Sequence, residues 1–361
     1  MTLALSERVR AAFAPPSYLA FPLAGIDVST SGVKAARLAE TSHGFVLAQY
    51  AQARLPLGAY TDGEITDRAA VVNAIKMTAR AAGISSAHVS LPESKSYLFE
   101  TSAPGTTKAE WRTAVEQHLD ELIPLPPPET AFDIVGMGPA HAGGTLVAGV
   151  GLARRIVDEM LSAFDEAGVG VRSLESEPFA VARAILPADD TSTVLIIDVG
   201  KTTTKLSIVT NRVPRFATTI GIGGHALTLA VQKHFGVTEA EARRVKADRG
   251  IVPSPGNEDY IAAMLSTVSA IRDEISKRLD YWQGHAASSE QSQPVTRAII
   301  IGGNASLRGL PEYMGGAFKV PVVAGDVFSN LAPRSAWVPE LDYNESLAYA
   351  TSIGLALRDT L

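Results

Sequence analysis

Apolar and polar residues follow the same ten-residue pattern at two separate places in the chain. Gly25–Lys34 reads Gly-Ile-Asp-Val-Ser-Thr-Ser-Gly-Val-Lys, and Ile196–Lys205 reads Ile-Ile-Asp-Val-Gly-Lys-Thr-Thr-Thr-Lys. In both copies an apolar segment ends in Asp-Val, a turn of small and hydroxyl residues follows, and a Lys stands seven residues after the Asp. Apolar segments on both sides of such a turn predict a β-hairpin, with first strands at 22–28 and 194–199. The copies are too far apart for a solenoid, so the pattern indicates a duplicated domain.

Helix and strand signals alternate between the two copies. Thr107 and Glu110 form a capping box, which predicts a helix over 108–123 that the following prolines end. Two strand-like segments and a further helix come next, so we expect residues 95–168 to form a small inserted α+β unit. The alternation as a whole predicts an α/β fold with mixed sheets and two related halves.

The chain after the second copy is rich in helix signals. Thr238 and Glu241 form another capping box, which predicts a short helix over 239–249. A long amphipathic helix, a buried strand at Arg297–Ile301 and a closing helix over 346–357 follow. The predicted division is a first half over 20–94 with 169–193 and 332–361, an insertion over 95–168, and a second half over 194–331 with a helical part at 229–297.

Composition narrows the class of protein. The 361 residues include no cysteine, carry a formal net charge of −6 and are 46% hydrophobic, which is a globular composition. The lack of cysteine excludes a disulfide framework, a thiolate zinc site and a cysteine nucleophile, and the histidines show no metal-ligand spacing. The acidic balance disfavours non-specific nucleic-acid binding, so no nucleic-acid partner is expected.

The sequence predicts no membrane-spanning helix. The uncharged run Ala11–Ile26 contains Pro15, Pro16 and Pro22, which a bilayer helix would not accommodate. We expect residues 1–20 to be a disordered leader or a short surface helix rather than a signal peptide, because a structural element already begins behind them. The expected location is therefore the cytoplasm.

The two turns carry a chemical argument for phosphate. Small residues let backbone N–H groups approach phosphate oxygens, and hydroxyl groups add donors. The candidate residues are Ser29, Thr30, Ser31 and Gly32 in the first turn and Gly200, Lys201, Thr202 and Thr203 in the second. Lys34 can pair with a β- or γ-phosphate as a point charge, and Asp27 and Asp198 can hold Mg²⁺ through water across a cleft. A plain polar hairpin is the alternative for either turn alone.

A third Gly-rich turn follows the strand Arg297–Ile301. Its residues Gly302, Gly303 and Asn304 would let a flat base or a ribose rest on the backbone. A plain strand-to-helix turn is the alternative for this segment taken alone. Two phosphate turns followed by such a third turn favour a nucleotide.

This order of turns resembles the actin-like ATPase superfamily. Glu177-Pro178-Phe179-Ala180 is similar to the Glu-Pro-x-Ala segment of its chaperone members, and Tyr349–Gly354 is similar to its Ala/Gly-rich closing helix. The resemblance implies an actin-like fold of two duplicated halves with a small inserted α+β subdomain. It also implies ATP and Mg²⁺ as cofactors, Glu177 as the acid that orients the attacking water, Asp198 as its catalytic neighbour, and at most slow hydrolysis. For Glu177, a helix N-terminal acid that interacts with the dipole is the alternative.

Within the superfamily the chain resembles the PilM family of cytoplasmic type IV pilus assembly proteins from about residue 22 onward. The similar features are the opening run Gly25–Lys34, the insertion before the second turn, Ile123-Pro124 and Gly223–Thr228. The division protein FtsA has its insertion at the same place but usually ends in a basic amphipathic membrane helix. Here the sequence stops at Leu361 directly after the closing helix, which favours the PilM family.

One helix departs from the family pattern. The family reads roughly Ala-Glu-x-x-Lys-x-x-x-Gly, with Glu and Lys reaching the sugar and base. Ala242–Gly250 keeps Lys246 but has Arg243 in place of the Glu, so we expect relaxed ribose recognition. Lys201 in the second turn is bulkier than the usual small residue and either reaches phosphate or crowds it.

The resemblance implies an ATP-binding scaffold of type IV pilus assembly, peripheral at the inner membrane as part of the pilus alignment complex. The inserted subdomain would hold the cytoplasmic tail of the membrane protein PilN, and nucleotide would set the closure of the halves and so bias partner binding. A related competence or type II secretion machine stays open. Two rival classes are an FtsA-like or bacterial-actin filament or membrane-tethering protein, and a small-molecule kinase of the same superfamily.

The partner groove is expected at Leu122, Ile123, Pro124 and Leu125, which are uncharged and precede a Pro-stiffened loop. A tail with alternating apolar residues would lie along the sheet edge beside them and use main-chain hydrogen bonds. The alternative is that all four residues pack inside the subdomain.

Overall fold

Two five-stranded sheets form the centre of the protein in a computed structural model, which describes residues 23–140, 143–288 and 293–360. The strands are β1 (Leu23–Ser29), β2 (Gly32–Thr41), β3 (Gly44–Arg54), β4 (Tyr60–Thr61), β5 (Glu64–Ile65), β6 (Ser86–Leu91), β7 (Tyr97–Ala103), β8 (Thr130–Pro139), β9 (Thr145–Ala153), β10 (Gly170–Ser176), β11 (Thr193–Val199), β12 (Thr204–Thr210), β13 (Val213–Ile220), β14 (Arg297–Ile301) and β15 (Val322–Ala324). The helices are α1 (Arg68–Ala81), α2 (Lys108–Gln117), α3 (Leu119–Leu122), α4 (Arg154–Glu166), α5 (Glu177–Ile185), α6 (Gly224–Phe235), α7 (Glu239–Arg249), α8 (Glu258–Ser288), α9 (Leu310–Phe318), α10 (Tyr343–Ser346) and α11 (Ala350–Ala356). The expected leader at 1–20 lies outside the described residues.

The two large sheets have the same topology, because each is built on one copy of the repeated hairpin. The strand orders are β3-β2-β1-β6-β10 and β13-β12-β11-β14-β15, with antiparallel pairing on the hairpin side and parallel pairing on the other. Asp27 lies opposite Lys34 in the first hairpin, and Asp198 lies opposite Lys205 in the second. The predicted α/β fold of two duplicated halves is confirmed.

The two halves share a hydrophobic core. Strand β11 is buried along nearly its whole length, as its continuous apolar run predicts for a strand covered on both faces. Its cluster continues through α5 and α11 to Ala36 and Leu38 of the first sheet. Among the described residues, no helix has the length and apolar character needed to cross a bilayer.

A three-stranded antiparallel sheet, β7-β9-β8, forms the inserted subdomain together with α2 and α3. It has a core of its own, made of Phe99, Ala103, Val115, Leu119, Ile123, Ile134 and Val147. The capping box of Thr107 and Glu110 that opens α2 is confirmed.

Two predicted helices are interrupted, and these two predictions were wrong in detail. The helix expected over 108–123 breaks at His118, whose φ of −124° and ψ of 20° lie outside the helical range. The closing helix expected over 346–357 is divided by a 3₁₀ turn at Leu347–Tyr349. The carbonyl of Leu347 accepts a hydrogen bond from the backbone N–H of Gly302 at 3.0 Å, so the third Gly-rich turn holds the chain at this break.

We expect the closing helix to tolerate no side chain at Gly354. A Cβ at this position would lie 1.8 Å from the carbonyl oxygen of Ala180 in α5. Gly354→Ala should therefore lower the free energy of unfolding by about 2 kcal/mol, because overpacking moves α11 off α5. Gly316→Ala in α9 is the control, since no described atom other than its own helix backbone lies within 4 Å of the added Cβ. Urea unfolding measures both variants, and equal losses would contradict the close packing.

Candidate functional site

The three Gly-rich turns meet at a cavity of about 780 Å³ between the two halves. A cavity of this size is typical of a small-molecule or cofactor site. The predicted residues that line it are Asp27, Ser29, Thr30, Ser31, Lys34, Glu177, Asp198, Gly200, Lys201, Thr203, Lys246, Gly302, Gly303 and Asn304. Gly32 and Thr202 belong to the same turns but stand outside this lining.

The first two turns, which the sequence predicts to bind phosphate, contact each other directly. The hydroxyl of Thr202 donates a hydrogen bond to that of Thr30 at 2.9 Å, so one residue from each half forms the contact. Within the first turn, the buried ammonium of Lys34 donates to Ser31 Oγ at 2.9 Å, and Ser29 Oγ lies 3.1 Å from Ser31 Oγ. The first turn therefore presents several hydroxyl groups and one ammonium group to the cavity.

Two aspartates, one from each half, line the cavity. Asp27 accepts a hydrogen bond from Ser90 Oγ at 2.9 Å. Burial raises the pKa of Asp198 above its ordinary value, and the charge of Asp27 adds to this rise, whereas Lys205 opposes it. Among the described residues, no three His, Cys, Asp or Glu side chains are arranged as a metal site. A magnesium ion held here would therefore take most of its ligands from water and phosphate, as Mg²⁺ usually does.

Glu177 forms a buried ion pair with Lys205. Its carboxylate stands at the first residue of α5 and contacts the ammonium of Lys205 on β12. Burial raises the pKa of Glu177 to about 7, although the charge of Lys205 opposes the rise. Burial disfavours the ammonium of Lys205, but the charges of Glu177, Asp198 and Asp27 outweigh burial and raise its pKa. The lysine of the second hairpin is thus a site residue that sequence reasoning missed, although the repeated pattern already marked its position.

Glu93 and Tyr60 also line the cavity, and the sequence analysis identified neither of them. Buried Glu93 follows β6 and accepts a hydrogen bond from the hydroxyl of Thr219 on β13, and burial raises its pKa. Its place just beyond the carboxyl end of a strand is the signal that would have found it. Tyr60 is buried in the short β4–β5 hairpin, and its hydroxyl has no hydrogen-bond partner among the described residues.

The third turn is tied to both the second turn and α7. Gly302 has a φ of +95°, and a Cβ there would lie 2.2 Å from Asp198 Oδ1, so only glycine fits. Lys246 donates to Asn304 Oδ1 at 2.8 Å, and Asn304 Nδ2 donates to the carbonyl of Gly200 at 2.9 Å. Burial lowers the pKa of Lys246 to about 8.

Arg243 lines the cavity at the position where the resembling family has an acid. Its guanidinium forms an ion pair with Glu239 one helical turn earlier, and this pairing lowers the pKa of Glu239. The α7 helix therefore presents positive charge to the cavity from both Arg243 and Lys246.

The residues of the predicted partner groove divide between core and surface. Ile123 is buried against Gly151, Leu122 and Leu125 are half-buried against the same core, and Pro124 is exposed. A second cavity of about 410 Å³ lies in this subdomain, lined by Arg112, Glu116, Leu119, Pro127, Pro128, Thr130, Ala131, Phe132 and Arg154. The residues that line this cavity thus precede and follow the predicted segment in the sequence.

Strand β13 contacts both the main cavity and the inserted subdomain. Thr219 of β13 donates a hydrogen bond to Glu93 in the cavity wall, and Arg215 of the same strand forms an ion pair with half-buried Glu100 on β7. One strand of the second half therefore contacts both the wall of the main cavity and the inserted subdomain.

Comparison with known proteins finds similar proteins over nearly the whole chain. The sequence profile of the family described as "Type IV pilus assembly protein PilM" matches residues 25–360. The chain is similar to a solved structure described as "PilM-PilN type IV pilus biogenesis complex", with a TM-score of 0.75 and 20% identity over 94% of this chain and 98% of that one.

Two further solved structures have a similar fold. MreB 5 of Spiroplasma citri bound to AMPPNP has a TM-score of 0.55 and 14% identity, covering 94% of this chain and 95% of that one. Ethanolamine utilization protein EutJ from Carboxydothermus hydrogenoformans has a TM-score of 0.51 and 16% identity, covering 95% and 90%. These similarities support the actin-like fold that the order of the turns implied.

We expect Lys205→Met to lower the free energy of unfolding by about 3 kcal/mol, because it leaves a buried carboxylate unpaired. Without the lysine the pKa of Glu177 in the folded protein lies further above its ordinary 4.5. The folded state then binds a proton that the unfolded state has lost, so the loss is largest above the wild-type Glu177 pKa of about 7 and shrinks as the pH falls below it. Urea unfolding at one pH below this pKa and at one pH above it measures the effect.

Two controls accompany this measurement. The double variant Glu177→Gln/Lys205→Met should recover most of the loss, because it removes both charges. Lys95→Met breaks a pair with Asp62, whose side chain is 69% exposed, and should cost at most about 1 kcal/mol. A pH-independent loss in Lys205→Met would contradict the pairing.

Proposed function

Because the chain belongs to the PilM family of type IV pilus assembly proteins, we propose that it is a nucleotide-binding scaffold of pilus assembly that holds the cytoplasmic tail of PilN. The observation that carries the nucleotide part is the meeting of the two phosphate turns across one cavity, through Thr202 and Thr30. The similar MreB 5 structure is described with AMPPNP bound. An adenine nucleotide is therefore the first ligand to test.

ATP with Mg²⁺ fits the residues that line the cavity. Lys34 and the hydroxyl groups of both turns supply a cation and donors for phosphate oxygens. Gly302 and Gly303 line the cavity without side chains, so the third turn would present its backbone to a flat ring. Asp27 and Asp198 would hold the hydrated magnesium ion, whose charge offsets that of the phosphates.

Turnover of this nucleotide would be slow. Glu177 is the acid that would orient water, and it lines the cavity at the start of α5. Its carboxylate is already engaged by Lys205, and burial, with a smaller contribution from the nearby aspartates, holds its pKa at about 7. The ion pair with Lys205 would leave the carboxylate less available to orient water, which supports a scaffold whose nucleotide serves mainly to set its conformation.

The inserted subdomain is the proposed partner site. Strand β8 is at the edge of its sheet, where main-chain groups are available to a peptide that adds a strand. The 410 Å³ cavity adjoins this edge through Thr130, Ala131 and Phe132. Arg112 lies 4.4 Å from the centre of the Phe132 ring and is paired with Glu116, so Arg154 leaves the cavity lining with a net positive charge. The site suits a short tail with apolar side chains and an acidic group.

Binding to PilN would also give the protein a location. A bound tail would hold the chain at the cytoplasmic face of the inner membrane, within the pilus alignment complex. The similar PilM-PilN structure supports PilN as the partner to test. The contacts of β13 with both regions support the idea that nucleotide-driven closure biases partner binding.

We expect Mg-ATP to raise the melting temperature, because a ligand that binds only the folded state stabilises it by about 2.7 kcal/mol at one hundred times its Kd. Asp27→Asn should weaken the magnesium dependence of binding more than the affinity for nucleotide alone. Asp62→Asn is the control, since Asp62 also lines the cavity but lies at its exposed edge, paired with Lys95. Calorimetry and thermal melting measure both effects. If saturating Mg-ATP changes neither quantity in protein with an intact circular dichroism spectrum, nucleotide binding is ruled out.

We expect a synthetic peptide of the PilN cytoplasmic tail to bind the inserted subdomain with modest affinity, since the entropy that the tail loses on ordering offsets part of the binding free energy. Ala131→Arg places a long cation in the cavity and should abolish binding. Ala262→Arg, an exposed position on α8, is the matched control and should bind as the wild type does. Fluorescence titration gives the affinities, and chemical-shift mapping gives the site. Shifts confined to residues 200–300 would place the partner elsewhere.

A further inference from the structure

The lysines of the two hairpins hold different partners, although they occupy matching positions. Lys34 lies opposite Asp27 and donates to Ser31 of its own turn. Lys205 lies opposite Asp198 but instead contacts Glu177 at the start of α5. Of the two matching lysines, one therefore donates a hydrogen bond within its own turn, and the other forms an ion pair with an acid outside its hairpin.

Lys205 is also the more accessible member of its pair. Its side chain is 24% exposed and that of Glu177 is 5% exposed, and both line the main cavity. An ammonium group has three donors and no fixed plane, so it can contact a carboxylate and a phosphate at once. Lys205 lines the cavity that the proposed nucleotide would occupy, so its ammonium is within the same space.

We propose that Lys205 is a positioning residue that distinguishes a nucleoside triphosphate from a diphosphate. Its ammonium is shared between Glu177 and the terminal phosphate, and it loosens its hold on Glu177 only when that phosphate is bound. This inference rests on the proposed nucleotide function and goes beyond it, because it assigns the choice between two nucleotides to one side chain.

Tyr60 provides an independent observation for this exchange. Its buried hydroxyl has no hydrogen-bond partner among the described residues, and it lies close enough to Glu177, Lys205 and Asp27 for all three charges to act on it. A buried hydroxyl without a hydrogen-bond partner costs free energy, so we expect it to form a hydrogen bond in another state of the protein. When Lys205 turns to phosphate, Tyr60 is the donor available to the released carboxylate of Glu177.

The test compares the Kd values of Mg-AMPPNP and Mg-ADP, each measured by calorimetry on the full chain. The wild type should prefer AMPPNP. Glu177→Gln should increase this preference, because its neutral amide competes less for the ammonium. Lys205→Gln in the Glu177→Gln background should remove the preference by weakening AMPPNP binding about tenfold while ADP binding stays the same, as expected for the loss of one hydrogen bond between charged groups.

The double variant is expected to fold, because it replaces both charged side chains by neutral amides and so leaves no buried charge unpaired. Lys205→Arg should restore part of the preference, and Lys277→Gln, which breaks an exposed pair with Glu274 on α8 away from the cavity, should leave it unchanged. Circular dichroism and melting temperature confirm the fold of each variant.

Three outcomes would overturn the inference. The first is a loss of AMPPNP and ADP binding by equal factors, which would make Lys205 a general electrostatic contributor. The second is an unchanged preference in the double variant. The third is wild-type protein that binds ADP and AMPPNP equally well. If the wild type binds neither nucleotide, the proposed nucleotide function itself fails, and this result is distinct from the other three.

Discussion

The cleft between the two halves depends on one constraint: each of its acidic side chains needs a hydrogen-bond donor or a cation as a partner. Its acids are Asp27, Glu93 and Glu177, which are buried, and Asp198, which is half-buried. A carboxylate moved out of water costs several kcal/mol unless a cation or donors replace its hydration. The protein meets this demand residue by residue: Ser90 donates to Asp27, Thr219 donates to Glu93, and Lys205 neutralises Glu177. Each of these partners comes from a different strand, so the charge balance holds only when both sheets are in place.

The repeated hairpin explains how such a balance arises from local sequence. In an antiparallel pair of fixed register, an Asp and a Lys seven residues later stand opposite each other, so each copy brings its own counter-charge. The acid of α5 comes from outside both hairpins and draws the second lysine away from its turn. The two copies therefore have the same strand pairing, but the lysine of the first contacts its own turn and the lysine of the second contacts α5.

The parts of this molecule that could be predicted from sequence are those set by short-range pattern. The hairpins, the capping boxes and the three turns follow from residue type and spacing within about ten positions. The contact between Glu177 and Lys205 depends on how one sheet stands against a helix of the other half, and no local pattern carries that information. Tyr60 reaches the cavity from a small hairpin with no recognisable motif. The break of the helix at His118 is likewise not indicated by the uniform amphipathic spacing on both sides of it.

The ion pair between Arg215 and Glu100 would let the proposed nucleotide cleft and the proposed tail site influence each other. It joins the strand that walls the cleft to the sheet that would receive a peptide tail. Equilibrium couplings are reciprocal, so a tail that shifts this sheet must change nucleotide affinity by the same factor that nucleotide changes tail affinity. A tail tethered to a membrane is present at a high effective concentration. The occupancy of the cleft would then report whether the chain is docked at the membrane, as well as how much nucleotide surrounds it.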